Sequence, residues 1–192
     1  KEVIYMDNKE RILEATMKVF NKKGLKFTMD DIAEELSMSK KTIYTVFDNK
    51  EAMFFCMVDY CFDKIKEQKN KVLSDDTLTT VDKLRGVLKV LPECYRDIDL
   101  SNLYQLKDKY PATYLKVEEQ LESGWEGVIR LMEQGIRENV IRPINPHIVK
   151  TMMEATIEQF FQRDVLVING ISYNEALEEV VDILVDGILV ND

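Results

Sequence analysis

The chain has 192 residues and a net charge of −9, with 45% hydrophobic and 32% charged residues. Together with only 7 glycines and 4 prolines, this composition favours an all-α globular protein. No apolar run reaches the ~18 residues of a transmembrane helix, and the N-terminus lacks the apolar core of a signal peptide. The sequence therefore excludes a membrane-spanning protein and predicts a cytoplasmic one.

The charge is unevenly distributed along the chain. Residues 1–50 hold ten Lys and Arg against nine Asp and Glu, so the acidic excess lies in the other 142 residues. A near-neutral N-terminal segment can bind DNA phosphates locally, while an acidic remainder suppresses loose DNA binding.

Metal-ligating and catalytic residue types are few and scattered. Cys56, Cys61 and Cys94 form no CxxC pair, and His147 is the single histidine. A zinc site needs about four such ligands at paired spacing, so we predict no metal, no cofactor and reduced thiols that pack within helices. No Ser/His/Asp, Cys/His or phosphate-loop pattern occurs, which argues against an enzyme.

The first predicted helix covers residues 8–21. Asp7 is its predicted N-cap, Glu10 completes a capping box, and Gly24 suits its C-terminal stop. Its inner face consists of Ile12, Thr16, Val19 and Phe20. We expect this helix to pack across the two short helices that follow it.

The pattern of residues 28–50 predicts two short helices joined by a tight turn. An apolar stripe marks the first: Met29, Ile32, Ala33 and Leu36. Thr28 is its predicted N-cap, with Asp31 three residues on. Ser39 can cap the second helix, which buries Ile43 and Phe47. The head core is then formed by Phe20, Ile32, Leu36, Ile43 and Phe47.

The other face of the second helix carries cations and hydroxyls without an acid: Lys40, Lys41, Thr42, Tyr44 and Thr45. A helix of this kind can enter the major groove, where lysines and hydroxyls contact phosphates and planar polar groups contact base edges. The same pattern fits an ordinary solvated helix, so periodicity and charge alone leave both interpretations open.

Residues 9–55 resemble the N-terminal domain of TetR-family transcriptional regulators. The matching residues are Ile12, Leu13, Glu14, Ala15, Val19, Phe20, Gly24, Phe27, Thr28, Met29, Asp30, Asp31, Ile32, Ala33, Ser39, Lys40, Lys41, Thr42, Ile43, Tyr44, Phe47, Asn49, Lys50 and Glu51. Ser37 stands where many members carry glycine, and a left-handed serine costs about 1 kcal/mol. Lys41 occupies a position often held by a small residue, so no relative's DNA specificity can be transferred.

The resemblance implies an all-α protein with a three-helix helix-turn-helix DNA-binding domain, residues 1–50, and a six-helix ligand-binding and dimerisation domain, residues 51–192. Such a protein binds double-stranded operator DNA as a homodimer, most often as a repressor, and is released by a small-molecule effector. Its two heads read half-sites of a near-palindromic operator about one turn (roughly 34–36 Å) or more apart. The predicted DNA contacts are Thr28, Ser39, Lys40, Lys41, Thr42, Tyr44, Thr45 and Lys50.

The fourth predicted helix connects the two halves. Asp48 is its predicted N-cap, with Glu51 at the third position, and the helix continues to about residue 69. Lys50 lies in its first turn, where the helix dipole favours an anion, so a nearby DNA phosphate would explain a lysine there. The helix is too apolar in its middle to pack on the head alone. In the family it transmits the arrival of the ligand to the head.

The remaining chain predicts further helices over residues 79–91, 100–109, 112–139, 145–168 and 172–190. Leu115 is among the inner residues expected in the long helix 112–139. Asn145 before Pro146 opens the next helix, and residues 169–170 close it. Ser172 and Glu175 predict a capping box for the last helix.

The last helix is apolar on more than one side, since Ile183 and Val185 lie outside its main stripe. It is either a central core helix or part of an interface. With the resemblance, we predict a homodimer in which the last two helices meet their symmetry mates as a four-helix bundle.

The candidate effector site consists of aromatic and apolar residues at helical spacing: Phe55, Val58, Phe62, Leu88, Tyr104, Trp125, Met152, Met153 and Phe160. The same residues fit an ordinary core. If they line a cavity, its ligand is apolar or aromatic. Glu154 and Glu158, one turn apart beside this stripe, are either cation receptors or solvated, paired glutamates. The alternative function is a helical protein–protein adaptor that does not bind DNA.

Overall fold

The computed structural model describes residues 2–91 and 105–190, with the backbone alone for residues 2–7 and 161. Its helices are α1 (Glu2–Lys23), α2 (Met29–Glu35), α3 (Lys40–Tyr44), α4 (Lys50–Leu73), α5 (Thr80–Leu88), α6 (Leu106–Lys109), α7 (Pro111–Glu122), α8 (Glu126–Arg137), α9 (Pro146–Gln162), α10 (Val165–Asn169) and α11 (Tyr173–Asp186). The predicted all-α fold, a helix-turn-helix head followed by a helical body, is confirmed. None of the helices within these ranges has both the length and the apolar character needed to cross a bilayer.

The head is formed by α1, a 3-10 turn (Gly24–Lys26), α2 and α3, against which the first half of α4 packs. Four of the five predicted core residues are buried, namely Phe20, Ile32, Ile43 and Phe47, and Leu36 is partly buried against them. Their spacing of three or four residues places them on the inner faces of α1, α2 and α3.

Side-chain caps and one left-handed residue define the helix-turn-helix. Thr28 and Asp31 form the predicted capping box at the start of α2. Ser37 adopts φ 51° in the turn, the left-handed conformation that the departure from glycine suggested. Ser39 then caps α3, since its Oγ accepts a hydrogen bond from the amide of Thr42 at 3.1 Å. These contacts set the angle at which α3 leaves α2.

The fourth helix belongs to both halves, as predicted. Its N-terminal part contributes Met53, Phe54 and Met57 to the head core. Val72 and Leu73, at its other end, pack against a second core built by α5, α8, α9 and α11. A helix that is buried at both ends in different cores can carry a displacement from one core to the other.

Two predicted helix starts are wrong. The first helix begins at Glu2 rather than residue 8, so Asp7 lies within it and is not its cap. Nothing in residues 2–7 breaks a helix, and each added residue gains one backbone hydrogen bond. The fourth helix is capped by Asn49 rather than Asp48, since Asn49 has the extended backbone and accepts from the amide of Ala52 at 2.8 Å.

The predicted helix 112–139 is two helices, α7 and α8. Gly124 adopts φ 76°, a left-handed conformation that ends a helix and that glycine adopts without steric cost. The resulting corner turns α8 away from α7. Leu115, expected to face inward, is 57% exposed.

The predicted helix 145–168 is also divided. The cap at Asn145 and the left-handed Gly170 are confirmed, but Arg163 is extended between α9 and α10. The break allows Leu166 of α10 to be buried with Ala176 of α11. The β-branched residues Val165 and Val167 also weaken a continuous helix here.

Two other predicted bounds change. The helix expected over 79–91 is α5, which ends at Leu88, and residues 92–104 of the chain lie outside the described residues. The final helix ends at Asp186, not at residue 190. The chain then pairs Leu189 with Ile141 in an antiparallel bridge. Its Ile188 carbonyl accepts from the Arg142 amide at 2.9 Å.

Candidate functional site

The third helix presents a polar face to solvent because its apolar side is fixed in the core. Ile43 and Phe47 are 0% and 3% exposed, and they hold the helix against α1 and α2. On the opposite side Lys41 and Thr45 are exposed, and Tyr44 is 45% exposed. Seven of the eight predicted DNA-contacting residues belong to α3 or to the helix caps around it.

Hydroxyl groups around α3 are oriented by local hydrogen bonds. The Ser39 and Thr42 hydroxyls lie 2.8 Å apart, and the Thr45 hydroxyl donates to the Thr42 carbonyl at 2.6 Å. The Thr28 hydroxyl accepts from the Asp31 amide at the start of α2. Each hydroxyl oxygen still has hydrogen-bonding capacity for a further group such as a phosphate oxygen.

The two lysines of α3 differ in their partners. The Lys40 ammonium lies 2.8 Å from the Asp30 carboxylate, and this hydrogen bond raises the pKa of Lys40. The Lys41 side chain makes no hydrogen bond or ion pair to any residue that the structure describes. A DNA phosphate therefore shares the Lys40 ammonium with Asp30 or competes with it, whereas the Lys41 ammonium has no such neighbour among the described residues.

Asp30 is a residue that the sequence analysis missed in this surface. From the sequence alone it counts only among the residues that carry the family resemblance. The signal that could have found it is the length of the lysine side chain, which reaches across the turn of a helix-turn-helix.

Lys50 points into the head. Its ammonium donates to the Leu25 carbonyl at 2.8 Å and to the Phe27 carbonyl, and it lies 3.8 Å from the centroid of the Phe27 ring. Burial, with a smaller contribution from the charge of Lys109, lowers the pKa of Lys50 to about 8. In this arrangement Lys50 links the start of α4 to the segment before α2.

Comparisons with known proteins relate this helix-turn-helix to those of transcriptional regulators. The family described as Bacterial regulatory proteins, tetR family, matches residues 12–57. The HTH-type transcriptional regulator YvaF of Bacillus subtilis is 26% identical over 183 residues, which cover 95% of this chain and 96% of that protein. A TetR-family regulator from Cytophaga hutchinsonii superposes with a TM-score of 0.69 at 23% identity, covering 97% of this chain and 96% of that one.

Residues 12–57 match the DNA-binding head of the TetR family of transcriptional regulators.

A further solved structure bears on the body of the chain. The transcriptional regulator FadR of Bacillus subtilis, in complex with stearoyl-CoA, superposes with a TM-score of 0.62 at 20% identity. The match covers 93% of this chain and 98% of FadR. This likeness concerns the fold, so the ligand chemistry has to be read from the residues of this chain.

The body contains a cleft of about 410 Å³ between α7 and α9. Its apolar and aromatic wall consists of Tyr114, Val117, Leu121, Trp125, Ala155 and Ile157. Its polar groups are Thr151 and the carboxylates of Glu118, Glu122, Glu154 and Glu158. A smaller cavity of about 120 Å³ adjoins it, and both are lined by Leu121, Trp125 and Ile157.

The predicted effector residues divide between these cavities and the surrounding structure. Four of them line the smaller cavity, namely Phe62, Leu88, Trp125 and Met153, and Trp125 also lines the larger cleft. Tyr104 lies outside the described residues.

The structure does not bring the other four into either cavity. Val58 is buried in packing, and Met152 is 50% exposed on the outer side of α9. Phe55 is covered by Lys116, whose ammonium lies 3.5 Å from the ring centroid. Phe160 packs edge-to-face on Tyr173. An apolar stripe does not show which of its members meet a cavity, because that depends on the helix packed opposite.

The carboxylates of the larger cleft were only partly anticipated. Glu154 and Glu158 were identified by their spacing of one helical turn, but Glu118 and Glu122 on α7 were missed. They too lie one turn apart. Their equal spacing on two helices was a signal for a shared acidic surface, although the pairing of α7 with α9 is a tertiary feature.

Proposed function

We propose that this TetR-family regulator binds a near-palindromic operator as a homodimer, acts as a repressor, and leaves the DNA when a small molecule occupies the cleft of the body. The functional division that we propose is a DNA-binding part, residues 1–50, and a ligand-binding and dimerisation part, residues 51–192. The observation that carries the proposal is the α3 face, where exposed Lys41, Tyr44 and Thr45 stand over buried Ile43 and Phe47.

The proposed DNA contacts are Thr28, Ser39, Lys40, Lys41, Thr42, Tyr44 and Thr45, on one surface around α3. We assign Lys50 a positioning role, because its ammonium already binds two backbone carbonyls of the head. The chain has a net charge of −9, so binding depends on this local surface rather than on overall attraction. Because bacterial operators lie on the chromosome, the proposed compartment is the cytoplasm.

The proposed dimer uses the outer faces of α9, α10 and α11. Val149 and Met153 of α9 and Val181 of α11 point into the body core, which leaves their neighbours outside. The exposed apolar side chains of this region are Ile148, Met152, Val165, Val167, Ile168, Ile171 and Ile183. Apolar exposure of this extent on adjoining helices marks an association surface, and a two-fold pairing would cover it.

The proposed route from the cleft to DNA passes through α7 and α4. Tyr114 of α7 lines the cleft and is also buried in the head core. Tyr110, immediately before α7, contacts Phe54 of α4 at a ring distance of 5.3 Å. Lys116 of α7 pairs with Asp59 of α4 at 2.5 Å. A ligand that moves α7 therefore displaces α4 and changes the separation of the two heads, which lowers affinity for a fixed operator by linkage.

The Tyr44→Ala variant tests the α3 face. We expect operator affinity to fall about tenfold or more, since a base or phosphate contact is worth roughly 1–3 kcal/mol and is made twice in a dimer. Operator fragments can be selected from random duplex DNA with the wild-type protein and measured by fluorescence anisotropy. Leu115→Ala, on an exposed apolar side chain outside the head, is the control. Unchanged affinity of the Tyr44 variant would remove α3 from the interface and favour a non-DNA adaptor.

Lys41 is expected to determine base preference. Its side chain is exposed, and Lys41→Ala is expected to change the preferred operator sequence more than it lowers general affinity. Sequence selection in parallel with wild-type protein measures the preference, and salt titration measures the phosphate contribution. A uniform loss across all sequences, with a salt slope reduced by about 1, would reassign Lys41 to a phosphate.

A further inference from the structure

The cleft between α7 and α9 combines two kinds of wall. Tyr114 and Trp125 contribute aromatic rings, and Val117, Leu121 and Ile157 contribute aliphatic surface. Four glutamates supply its charged groups, and none of the described residues that line it is a lysine, arginine or histidine. A cavity of about 410 Å³ whose described lining is apolar apart from Thr151 and four carboxylates attracts cations and repels anions.

The carboxylates of this cleft are incompletely neutralised by the protein. Glu158 accepts a hydrogen bond from the amide of Gln162. Glu118 and Glu122 have no hydrogen bond or ion pair with the residues that the structure describes. The cleft therefore has acceptor capacity that the described protein leaves unused.

Glu154 has a buried carboxylate oxygen, Oε1. Lys150, one turn away on α9 and outside the cleft lining, has its ammonium 3.0 Å from Oε1 of Glu154. This ion-pair contact lacks hydrogen-bond geometry, so the buried Oε1 atom receives no hydrogen bond from the described residues. A buried carboxylate oxygen in this state is stabilised by a further positive group.

We propose that the cleft binds an organic monocation with an apolar, aromatic-sized body. The apolar body packs against Leu121, Val117 and Ile157, the cationic centre lies over the Trp125 ring, and the glutamates neutralise it. An anionic ligand such as a carboxylate or phosphate ester would face four like charges. This assignment rests on the proposed role of the cleft as the effector site, and it names the chemical class of that effector.

A pair of probes with the same shape and opposite charge tests the assignment. Trp125 is the only tryptophan of the chain, so intrinsic fluorescence reports directly on the cleft. Tetraphenylphosphonium and tetraphenylborate are titrated into the full-length protein without DNA. We expect the cation to change Trp125 fluorescence saturably and to bind at least about tenfold more tightly than the anion.

Variants that each replace glutamate by glutamine, inside and outside the cleft, distinguish binding by the cleft carboxylates from attraction to the acidic protein as a whole. Glu154→Gln with Glu158→Gln is expected to weaken cation binding about tenfold or more, and Glu122→Gln, on an exposed side chain, by a smaller factor. Glu119→Gln lies on α7 beside Glu118 but outside the cleft lining, and it is expected to have no effect. Far-UV circular dichroism checks folding. If the double variant does not fold, the comparison of Glu122→Gln with Glu119→Gln provides the test.

Equal binding of both probes, no fluorescence response to the cation, or equal weakening by Glu119→Gln would each overturn the assignment. A separate titration of tetraphenylphosphonium into the protein–operator complex tests release. Operator binding without any cation response rejects the ligand class and leaves the DNA-binding proposal standing. Cation binding that leaves the operator complex intact supports the ligand class and rejects the proposed release mechanism.

Discussion

The Ile183→Glu variant is expected to be monomeric and to bind operator DNA at least about a hundredfold more weakly than wild type. Ile183 is 65% exposed on α11, so the isolated chain tolerates a glutamate there. In the proposed dimer, the same carboxylate would be buried without a partner against the apolar side chains of the symmetry mate. A monomer retains one head, and loss of the second head removes the avidity of two linked half-sites, a factor of about 10²–10⁴.

Size-exclusion chromatography with light scattering gives the mass of the variant, and anisotropy with the selected operator gives its affinity. Leu115→Glu is the matched control, because Leu115 has similar exposure, 57%, but lies on α7 outside the proposed interface. The control should remain dimeric with wild-type affinity. A dimeric Ile183 variant with wild-type operator affinity would show that α11 does not form the interface.

The parts of this protein that follow from sequence are those governed by local chemistry. The capping box of Thr28 and Asp31, the cap at Ser39 and the burial of Ile43 and Phe47 depend on residues within one or two helical turns of each other. A short apolar stripe and a capping residue therefore predict the helix-turn-helix. The exposed face of α3 follows from the same pattern, since the residues between the buried positions must face outward.

The parts that do not follow are set by contacts between distant segments. The corner at Gly124 depends on the left-handed conformation of a glycine that is also compatible with a continuous helix. The extended Arg163 depends on the burial of Leu166 against α11. The four carboxylates of the cleft meet only because α7 packs opposite α9. The apolar stripe of one helix does not show which helix packs against it, so neither cavity could be predicted from periodicity.

Lys50 shows the same limit within the head. Its position at the start of α4 is compatible with a phosphate contact, because a helix N-terminus is a favourable place for an anion. The side chain instead folds back to the Leu25 and Phe27 carbonyls, which lie more than twenty residues earlier in the chain. The structure thus shows Lys50 as a link between α4 and the segment before α2, while its contact with DNA stays a prediction.

Replacement of Lys50 by methionine is therefore expected to destabilise the protein by about 1–3 kcal/mol at high pH, the cost of leaving buried acceptors without a donor. Methionine retains apolar contact with Phe27 but cannot donate to either carbonyl. At high pH the neutral amine of wild-type Lys50 can still donate hydrogen bonds to these carbonyls. The destabilisation should be smaller at lower pH, because methionine also removes the cost of burying a charge.

The direction of the pH dependence follows from the lowered pKa of Lys50. Burial lowers this pKa from 10.5 to about 8 in the folded protein. Below pH 8 Lys50 is therefore charged in both states, and the folded protein bears the whole free-energy cost of burying the charge. Between pH 8 and 10.5 the folded protein loses this proton while the unfolded chain keeps it, and Lys50 adds to the free energy of unfolding as pH rises. The difference between wild type and Lys50→Met should therefore widen across this interval.

Urea unfolding monitored by circular dichroism, on both sides of pH 8, measures that difference. Other lysines and tyrosines titrate in the same interval, so Lys26→Met provides the reference, as Lys26 is exposed beside the same loop. The reference should follow wild type at every pH. A difference that shrinks with rising pH, or that Lys26→Met reproduces, would mean that the Lys50 ammonium does not join α4 to the head. The coupling proposed for operator release would then depend on the Tyr110–Phe54 and Lys116–Asp59 contacts of α4 alone.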